Sequence, residues 1–166
     1  MDERVRALLD RDEIRRVVMD FARAVDHRDW ELLRSCFHPG ARDDHGVFAG
    51  DAEDYVDWVA ENLPQFAERT MHFIGNVIID LDGETVATAE SYVIGYHRYS
   101  REDGTRADWI AAGRYLDRFE KRGGAWRIAD RRLLWEWVRD DPVGGEFESF
   151  GIDPALLAWG GMGRDG

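Results

Sequence analysis

This chain has little cysteine, and its basic residues are outnumbered by its acidic ones. The single cysteine, Cys36, excludes an intramolecular disulfide and any metal site built from several thiolates. Its neighbours are apolar, so we expect a small buried hydrophobe there rather than a reactive thiol. Lys and Arg number 22 against 34 Asp and Glu, giving a net charge of −12. That balance argues against DNA, RNA or an anionic membrane surface as a partner.

Long apolar stretches are missing as well. No run of apolar residues approaches the length of a membrane span. The charged start, Met1–Arg4, is not followed by the apolar core of a signal peptide, and we therefore expect a cytoplasmic protein. The 166 residues are 44% hydrophobic and 34% charged, which fits a single globular domain.

The spacing of apolar residues predicts helices first and strands afterwards. Asp10 and Glu13 have capping-box spacing at the head of the first apolar-faced helix. Asp29 and Asp51 are placed to cap two more helices, which proline-containing segments stop. Four alternating segments then follow, joined by glycine-containing turns. The predicted elements are helices over 11–26, 30–37 and 52–63, a short strand over 42–49, and long strands over 71–80, 85–100, 109–121 and 126–138.

This order of elements places the chain in the α+β class. Three hairpin signals between four long strands imply an antiparallel meander. We expect a strongly curved antiparallel sheet, closed by the three N-terminal helices into a cone-shaped barrel whose hollow suits a ligand. The domain would span residues 1–139, and the Gly- and Pro-rich tail, 140–166, would be a lid or a subunit-packing arm.

His72 is the residue that most directly suggests chemistry. It opens an apolar strand, where a β-branched or aromatic residue is the usual choice. Asp26 ends the first helix, and if the fold joins the two, the carboxylate would orient and charge-stabilise the imidazole of a general base. The alternatives are a core histidine with satisfied hydrogen bonds, and an Asp26 that caps the next helix or pairs with Arg28.

Arg131 and His97 are two further polar candidates. Arg131 shares a strand face with a leucine and two tryptophans. It is therefore either a buried cation that needs a partner or a pocket donor aimed at an anion. Structural pairing with Asp117 or Glu120 is the alternative that stays open for Arg131.

The consecutive residues Asp43, Asp44 and His45 raise the question of a metal. Three consecutive residues on a strand cannot all face one ion, so we predict no metal site. We expect Asp44 or His45 to make polar contacts at a pocket rim.

Seven tryptophans are the unusual count in this composition. Tryptophan brings a large flat surface, and a cluster often lines a pocket for a flat or greasy ligand, although an aromatic core explains it equally well. The candidate pocket residues are Phe21, Asp44, His45, Tyr55, Asn76, Tyr92, Tyr96, Trp109, Trp135 and Trp137.

Several phrases of the sequence are similar to one known superfamily. They are Ala24–Trp30, Phe37–Pro39, Thr70–Phe73 and Trp126–Ile128, together with the order of elements. Over residues 8–139 the chain resembles the nuclear transport factor 2-like superfamily. Within it, the chain resembles the SnoaL-like branch, which includes scytalone dehydratase, hexachlorocyclohexane dehydrochlorinase and bile acid 7α-dehydratase.

The resemblance implies an enzyme that works without metal or organic cofactor. In that branch an Asp–His pair removes a proton and a neighbouring leaving group departs; Asp26 and His72 match those positions. Arg131 matches an arginine that assists the leaving group, and His97 would correspond to a second catalytic histidine. Phe21 stands where related dehydratases carry a tyrosine, so the resemblance does not define the leaving group.

The expected activity is therefore a dehydratase-type lyase reaction on a small hydrophobic, aromatic or polycyclic substrate. Double-bond isomerisation, retro-aldol cleavage and dehydrohalogenation share its first step and stay open. A non-catalytic ligand carrier or an accessory subunit of an oxygenase is also open, because one fold serves many functions. By resemblance we further expect a homo-oligomer, either a dimer or a trimer.

Overall fold

The computed structural model describes residues 2–143. It confirms the α+β class that the sequence predicts. The elements in chain order are α1 (Glu3–His27), α2 (Trp30–Ser35), β1 (Phe37–Asp44), β2 (Ala49–Asp51), α3 (Ala52–Phe66), β3 (Arg69–Asp82), β4 (Val86–Ser100), β5 (Arg106–Arg122) and β6 (Ala125–Pro142). Within these residues no helix combines the length and the apolar character that crossing a membrane requires.

The strands form one curved six-stranded sheet in the order β2-β1-β6-β5-β4-β3. Strands β3 to β6 make the predicted antiparallel meander. Strand β1 instead lies parallel to β6, so the sheet is mixed rather than wholly antiparallel. In the described part of the chain β2 and β3 do not pair with each other, and the sheet stays open at these two edges. The hydrophobic core lies between the helices and one face of the sheet.

Helix α1 begins well before the predicted start, because Asp2 rather than Asp10 is its cap. The Asp2 carboxylate accepts a hydrogen bond from the backbone N–H of Arg4 at 2.7 Å. Asp10 lies inside the helix and is only 3% exposed. Its carboxylate accepts from Trp126 Nε1 at 2.8 Å and from Lys121 Nζ at 2.7 Å. Asp10, whose spacing to Glu13 suggested a helix cap, therefore forms buried hydrogen bonds between α1 and the sheet instead.

The prolines do not end the helices where the sequence pattern predicts. Helix α2 ends at Ser35, and Pro39 already lies in β1. Asp29 caps α2 as expected, accepting from the backbone N–H of Leu32 at 3.0 Å. Pro64 lies inside α3, near its last turn, where the loss of one backbone hydrogen bond is tolerated. The N-cap of α3 is Asp51, whose side chain makes no capping hydrogen bond.

Three irregularities interrupt the pairing of the long strands. One falls between Ile74 and Val77 of β3, and another between Arg118 and Phe119 of β5. In the third, Ala112 pairs with Trp137 and Gly113 with Trp135, so the residue between the two tryptophans has no paired residue on β5. A Cβ at Gly113 would lie 2.4 Å from a backbone oxygen of β6, so this bulge requires glycine.

Cys36 behaves as the sequence predicts. It is 2% exposed and packs within the hydrophobic core. Burial raises the pKa of its thiol to about 12, which keeps the sulfur protonated and unreactive at neutral pH.

Candidate functional site

A cavity of about 820 Å³ opens between helices α1 and α3 and the curved sheet. Its volume falls within the range of small-molecule sites. Most of its lining is apolar or aromatic, with three histidines among the polar contributions. The predicted site residues that line it are Phe21, His45, Tyr55, His72, His97, Trp109 and Trp135.

The structure brings Asp26 and His72 into direct contact. His72 Nδ1 lies 2.8 Å from Asp26 Oδ1, and the backbone N–H of His72 donates to both carboxylate oxygens at 2.9 and 3.1 Å. The two side chains are 11% and 13% exposed. An ionised carboxylate only accepts, so Nδ1 carries the proton and Nε2 keeps a lone pair. We call this contact the Asp26 pair.

His97 lies beside His72 in the wall of the same cavity. The ring centroids are 5.4 Å apart and the planes nearly perpendicular. Burial, followed by the neighbouring His72, lowers the pKa of His97 to about 3, so its ring is neutral at physiological pH. A hydrogen bond to the backbone of Trp109 acts in the opposite direction, as expected for a ring N–H that donates to a carbonyl. The buried Nδ1 has no partner within residues 2–143.

Gly95 is a site residue that the sequence reasoning missed. It pairs with His72 across β3 and β4. A Cβ there would lie 3.2 Å from His97 Cε1 and 3.4 Å from both Cδ2 and Nε2 of His72. The available signal was a glycine inside a strand, which often marks a close approach.

A second carboxylate–imidazole contact lies on another wall of the cavity. His45 Nδ1 is hydrogen-bonded to Asp43, whose side chain is completely buried. On the other side of the ring, the Tyr55 hydroxyl lies 3.2 Å from His45 Nε2. The rings of His45 and Tyr55 are stacked with centroids 4.5 Å apart. We call this contact the Asp43 pair.

Asp44, one of the predicted contacts at the rim, does not line the cavity. Its carboxylate accepts from the backbone N–H of Gly46 at 3.0 Å and lies 3.5 Å from Arg132. Successive strand residues point to opposite faces, so the inward position of His45 also turns Asp43 inward and Asp44 outward. Strand alternation could therefore have predicted that Asp43, rather than Asp44, lies on the inner face with His45.

Arg131 does not reach the cavity, contrary to its predicted role at a leaving group. Its side chain is 0% exposed and donates to both oxygens of Asp117, each at 2.7 Å. The guanidinium carbon lies 4.0 Å from the ring centroid of Phe21 and 4.1 Å from that of Tyr115. Both rings line the cavity in its place. Burial disfavours the charge, but Asp117 outweighs it and raises the pKa of Arg131. The structural ion pair is thus the alternative that the geometry supports.

Tyr92 and Tyr96, two predicted pocket residues, lie on the outer face of the sheet. His97 and Val93 of β4 line the cavity, and the alternation of the strand turns the two tyrosines away from it. The Tyr96 hydroxyl donates to Asp108 at 3.0 Å. Tyr92 is 41% exposed.

Trp137 and Asn76 lie outside the cavity lining, and each lies at an irregularity in strand pairing. The bulge in β6 shifts the alternation by one residue, so that Val138 lines the cavity and Trp137 lies 46% exposed on the other side. Asn76 falls within the irregular part of β3, between Ile74 and Val77. Simple alternation cannot locate such bulges.

No group of three or more His, Cys, Asp or Glu side chains suited to a metal ion occurs within residues 2–143.

The predicted C-terminal tail continues β6 as far as Pro142. The possible lid or arm beyond it lies outside the described residues.

The curved sheet, the three helices against it and the cavity between them define a protein class. These are α+β proteins in which helices pack on one face of a curved, open sheet. The chain belongs to the SnoaL-like domain family, whose model matches residues 6–132.

Relatives with known sequences or structures cover most of the chain. Rv2910c, an uncharacterised protein of Mycobacterium tuberculosis H37Rv, is 29% identical over 134 residues, which are 76% of this chain and 86% of the relative. The crystal structure of a proposed scytalone dehydratase from Novosphingobium aromaticivorans is 27% identical, with a TM-score of 0.73 over 85% of this chain and 97% of the other. A hexachlorocyclohexane dehydrochlorinase of Novosphingobium barchaimii is 18% identical, with a TM-score of 0.75 over 87% and 97%.

Proposed function

We propose that this protein is a cofactor-independent lyase that eliminates water from a small hydrophobic, aromatic or polycyclic substrate. The observation that carries the proposal is the Asp26 pair in the cavity wall, with Nδ1 of His72 held at 2.8 Å by the carboxylate. His72 is the general base and Asp26 is the residue that orients it. The fold shared with a dehydrochlorinase and a proposed scytalone dehydratase supports an elimination chemistry.

The reaction begins with proton removal by His72. Because Nδ1 donates to Asp26, the lone pair of Nε2 is left to accept a proton from substrate carbon. The imidazolium that forms is stabilised by the adjacent carboxylate, as in other Asp–His pairs. General base catalysis of this kind contributes roughly a hundred- to ten-thousandfold in rate.

His97 supports this step without competing for the proton. Its low pKa keeps it neutral beside His72, so two positive charges do not meet when His72 is protonated. Nδ1 is buried, and the other ring nitrogen is directed to the backbone of Trp109. We assign to His97 a role in positioning His72 and shaping the cavity, rather than direct contact with the leaving group.

The aromatic lining supports a flat, largely apolar substrate. Trp109 and Trp135 lie with centroids 5.7 Å apart, and His97 lies 5.2 Å from Trp109. Flat rings at these distances offer faces and edges on which another ring can stack. Trp58, Phe66 and Tyr99 extend the same lining.

The test is a screen of hydroxylated aromatic and steroid-like compounds for loss of water. Wild type should convert a member of the panel, and His72→Ala and His72→Asn should both lose about a hundredfold or more in kcat/KM. The asparagine can still donate to Asp26 but cannot act as a base, so the pair of variants separates chemistry from folding. His27→Ala, an exposed histidine one residue after Asp26, is the control and should match wild type.

Product analysis in the same screen distinguishes the related reactions. A shifted double bond would indicate an isomerase, two smaller fragments a retro-aldolase, and released halide a dehydrohalogenase. Tight binding of panel compounds that are never converted, with equal affinity in His72→Ala, would instead establish a ligand carrier and refute the lyase.

We also propose that the outer face of the sheet joins two or three copies of this chain. Phe73, Ile94 and Trp137 lie in one row across the sheet and are 64%, 42% and 46% exposed. Contiguous apolar surface of this kind commonly marks an interface. Light scattering should give a multiple of the 19.1 kDa chain mass. Phe73→Glu should shift it to the monomer, whereas Leu8→Glu on α1 should not.

A further inference from the structure

We propose that Asp43, His45 and Tyr55 form a proton relay whose tyrosine hydroxyl protonates the departing oxygen of the substrate. The leaving group is then a hydroxyl rather than a halide. This inference rests on the proposed lyase reaction, since it supplies the acid that a base-initiated loss of water requires.

The order of hydrogen bonds allows a proton to pass from His45 to Tyr55. An ionised Asp43 accepts from His45 Nδ1, so His45 Nε2 meets the Tyr55 hydroxyl at 3.2 Å. When His45 is an imidazolium, Nε2 donates to the tyrosine oxygen, and the phenolic O–H becomes free to donate elsewhere. Both His45 and Tyr55 line the cavity, where that donor can meet a ligand.

A buried cation lies beside the carboxylate end of the relay. Asp43 pairs in register with Arg131 of β6, and Arg131 pairs with Asp117 of β5. The side chains of all three are 0% exposed. Arg131 therefore places a buried positive charge next to Asp43, which offsets the cost of burying that carboxylate.

Tyr55 can donate its hydroxyl proton to the substrate only if it receives a proton from His45 at the same time. Burial, and then the charge of Asp43, raises the pKa of Tyr55 well above its ordinary value. The hydroxyl therefore remains protonated across the physiological range. It can donate to a leaving oxygen if His45 returns a proton to it in the same step, so that a buried phenolate never accumulates.

The relay and the base lie in the walls of the same cavity, which His45, Tyr55 and His72 all line. The Phe21 ring stacks on His45 with centroids 6.2 Å apart, and Asp26 follows on the same helix. A substrate in the cavity can therefore contact both groups.

The complete step balances without a co-reactant. His72 takes the proton from carbon, the electron pair of that C–H bond forms the double bond, and the C–O bond breaks. The departing oxygen receives the proton of Tyr55, Tyr55 receives the proton of His45, and water leaves. His72 has gained one proton and His45 has lost one, and exchange with water restores both.

The test compares two compounds that give the same product from different leaving groups. One is the β-hydroxy ketone formed from acetone and benzaldehyde, and the other is its acetate ester. Hydroxide needs a proton to depart, whereas acetate departs as a stable anion. Formation of benzylideneacetone is followed by absorbance, and exchange of the carbon-bound proton in D₂O is followed by NMR.

Tyr55→Phe should lose about a hundredfold or more in kcat on the hydroxy ketone. It should stay within about threefold of wild type on the acetate, and it should still exchange the carbon-bound proton. His45→Gln should show the same selective loss. Tyr92→Phe, on the outer face of the sheet, is the matched control and should leave both compounds unaffected.

Each of the remaining outcomes would refute either the relay alone or both the relay and the base. Equal losses on both compounds in Tyr55→Phe and His45→Gln, with unfolding transitions like that of wild type, would refute the relay and leave a structural role. Proton exchange by wild type without any release of water would refute the relay but keep His72 as the base. Failure of wild type to exchange the proton would refute the base, and the relay with it.

Discussion

The cavity contains two carboxylate–imidazole pairs of similar composition and different surroundings. In the Asp26 pair both side chains keep some exposure, and within residues 2–143 no side chain is hydrogen-bonded to Nε2 of His72. In the Asp43 pair the carboxylate is fully buried, and Nε2 of His45 is covered by Tyr55. The two pairs therefore differ chiefly at the second ring nitrogen, and under the proposed reaction this difference lets one pair take up a proton and the other pass one on.

The largest expected effect comes from removing the cation behind the Asp43 pair. Arg131→Met leaves the buried carboxylate of Asp117 uncompensated and should cost about 3–5 kcal/mol of unfolding free energy. Urea denaturation measures it. Arg118→Met, which breaks an exposed pair with Glu120, should cost less than about 1 kcal/mol. Equal costs for the two variants would contradict a buried structural ion pair.

Next in size is neutralisation of the carboxylate in the other pair. Asp26→Asn keeps the size of the side chain but can no longer accept from both the ring and the backbone N–H of His72. We expect a loss of about 1–3 kcal/mol in unfolding free energy. The ¹⁵N chemical shifts of His72 should also report a mixture of tautomers. An unchanged single tautomer would show that Asp26 does not orient the ring.

A pH dependence should arise from the neutral His97 beside the Asp26 pair. Its pKa is about 3 in the folded protein and 6.5 as an ordinary value. The unfolded chain binds the extra proton between these limits, so the contribution of His97 to stability is complete above about pH 6.5 and falls on acidification towards 3. The slope approaches about 1.4 kcal/mol per pH unit. In His97→Gln this slope should disappear from denaturation curves recorded over that range.

The smallest predicted effect comes from filling the space that Gly95 leaves between His72 and His97. Gly95→Ala places a methyl group 3.2–3.4 Å from His97 and His72, so both rings must give way by a few tenths of an ångström. We expect about a fivefold drop in kcat, equivalent to ~1 kcal/mol, with an unchanged fold. Gly75→Ala on the same sheet, where the nearest contact would be 3.5 Å, is the control and should show no drop.

The sequence predicted the fold well because its strongest signals are local. Glycine-containing turns between alternating segments defined the meander, and the structure confirms its strand order. The parallel pairing of β1 with β6 could not be predicted in this way, because it joins segments far apart in the chain. The start of α1 was wrong because the same Asp10 spacing serves a cap and a buried contact with Trp126 equally well.

The candidate site was predictable where the chemistry of a side chain and the strand alternation both place that residue in the cavity. Asp26 and His72 were selected correctly as a contact, and alternation would have selected Asp43 over Asp44 as well. Trp137 was misplaced because a bulge reverses the facing of β6, and a bulge depends on the partner strand. Arg131 was misassigned because a buried arginine among aromatic rings has the same pattern in sequence whether its partner is a ligand or Asp117.

The hydrogen bonds that the backbone N–H of His72 donates to Asp26 have a further consequence for the edge of the sheet. β3 is an edge strand, and a free N–H at that position would offer a pairing site to another polypeptide. The Asp26 carboxylate that binds the His72 ring also occupies this site, so helix α1 covers the sheet edge at His72. Amide hydrogen exchange at His72 should therefore be slow for an edge position. Faster exchange would indicate that the strand has separated from the helix and that the contact between Asp26 and His72 has broken.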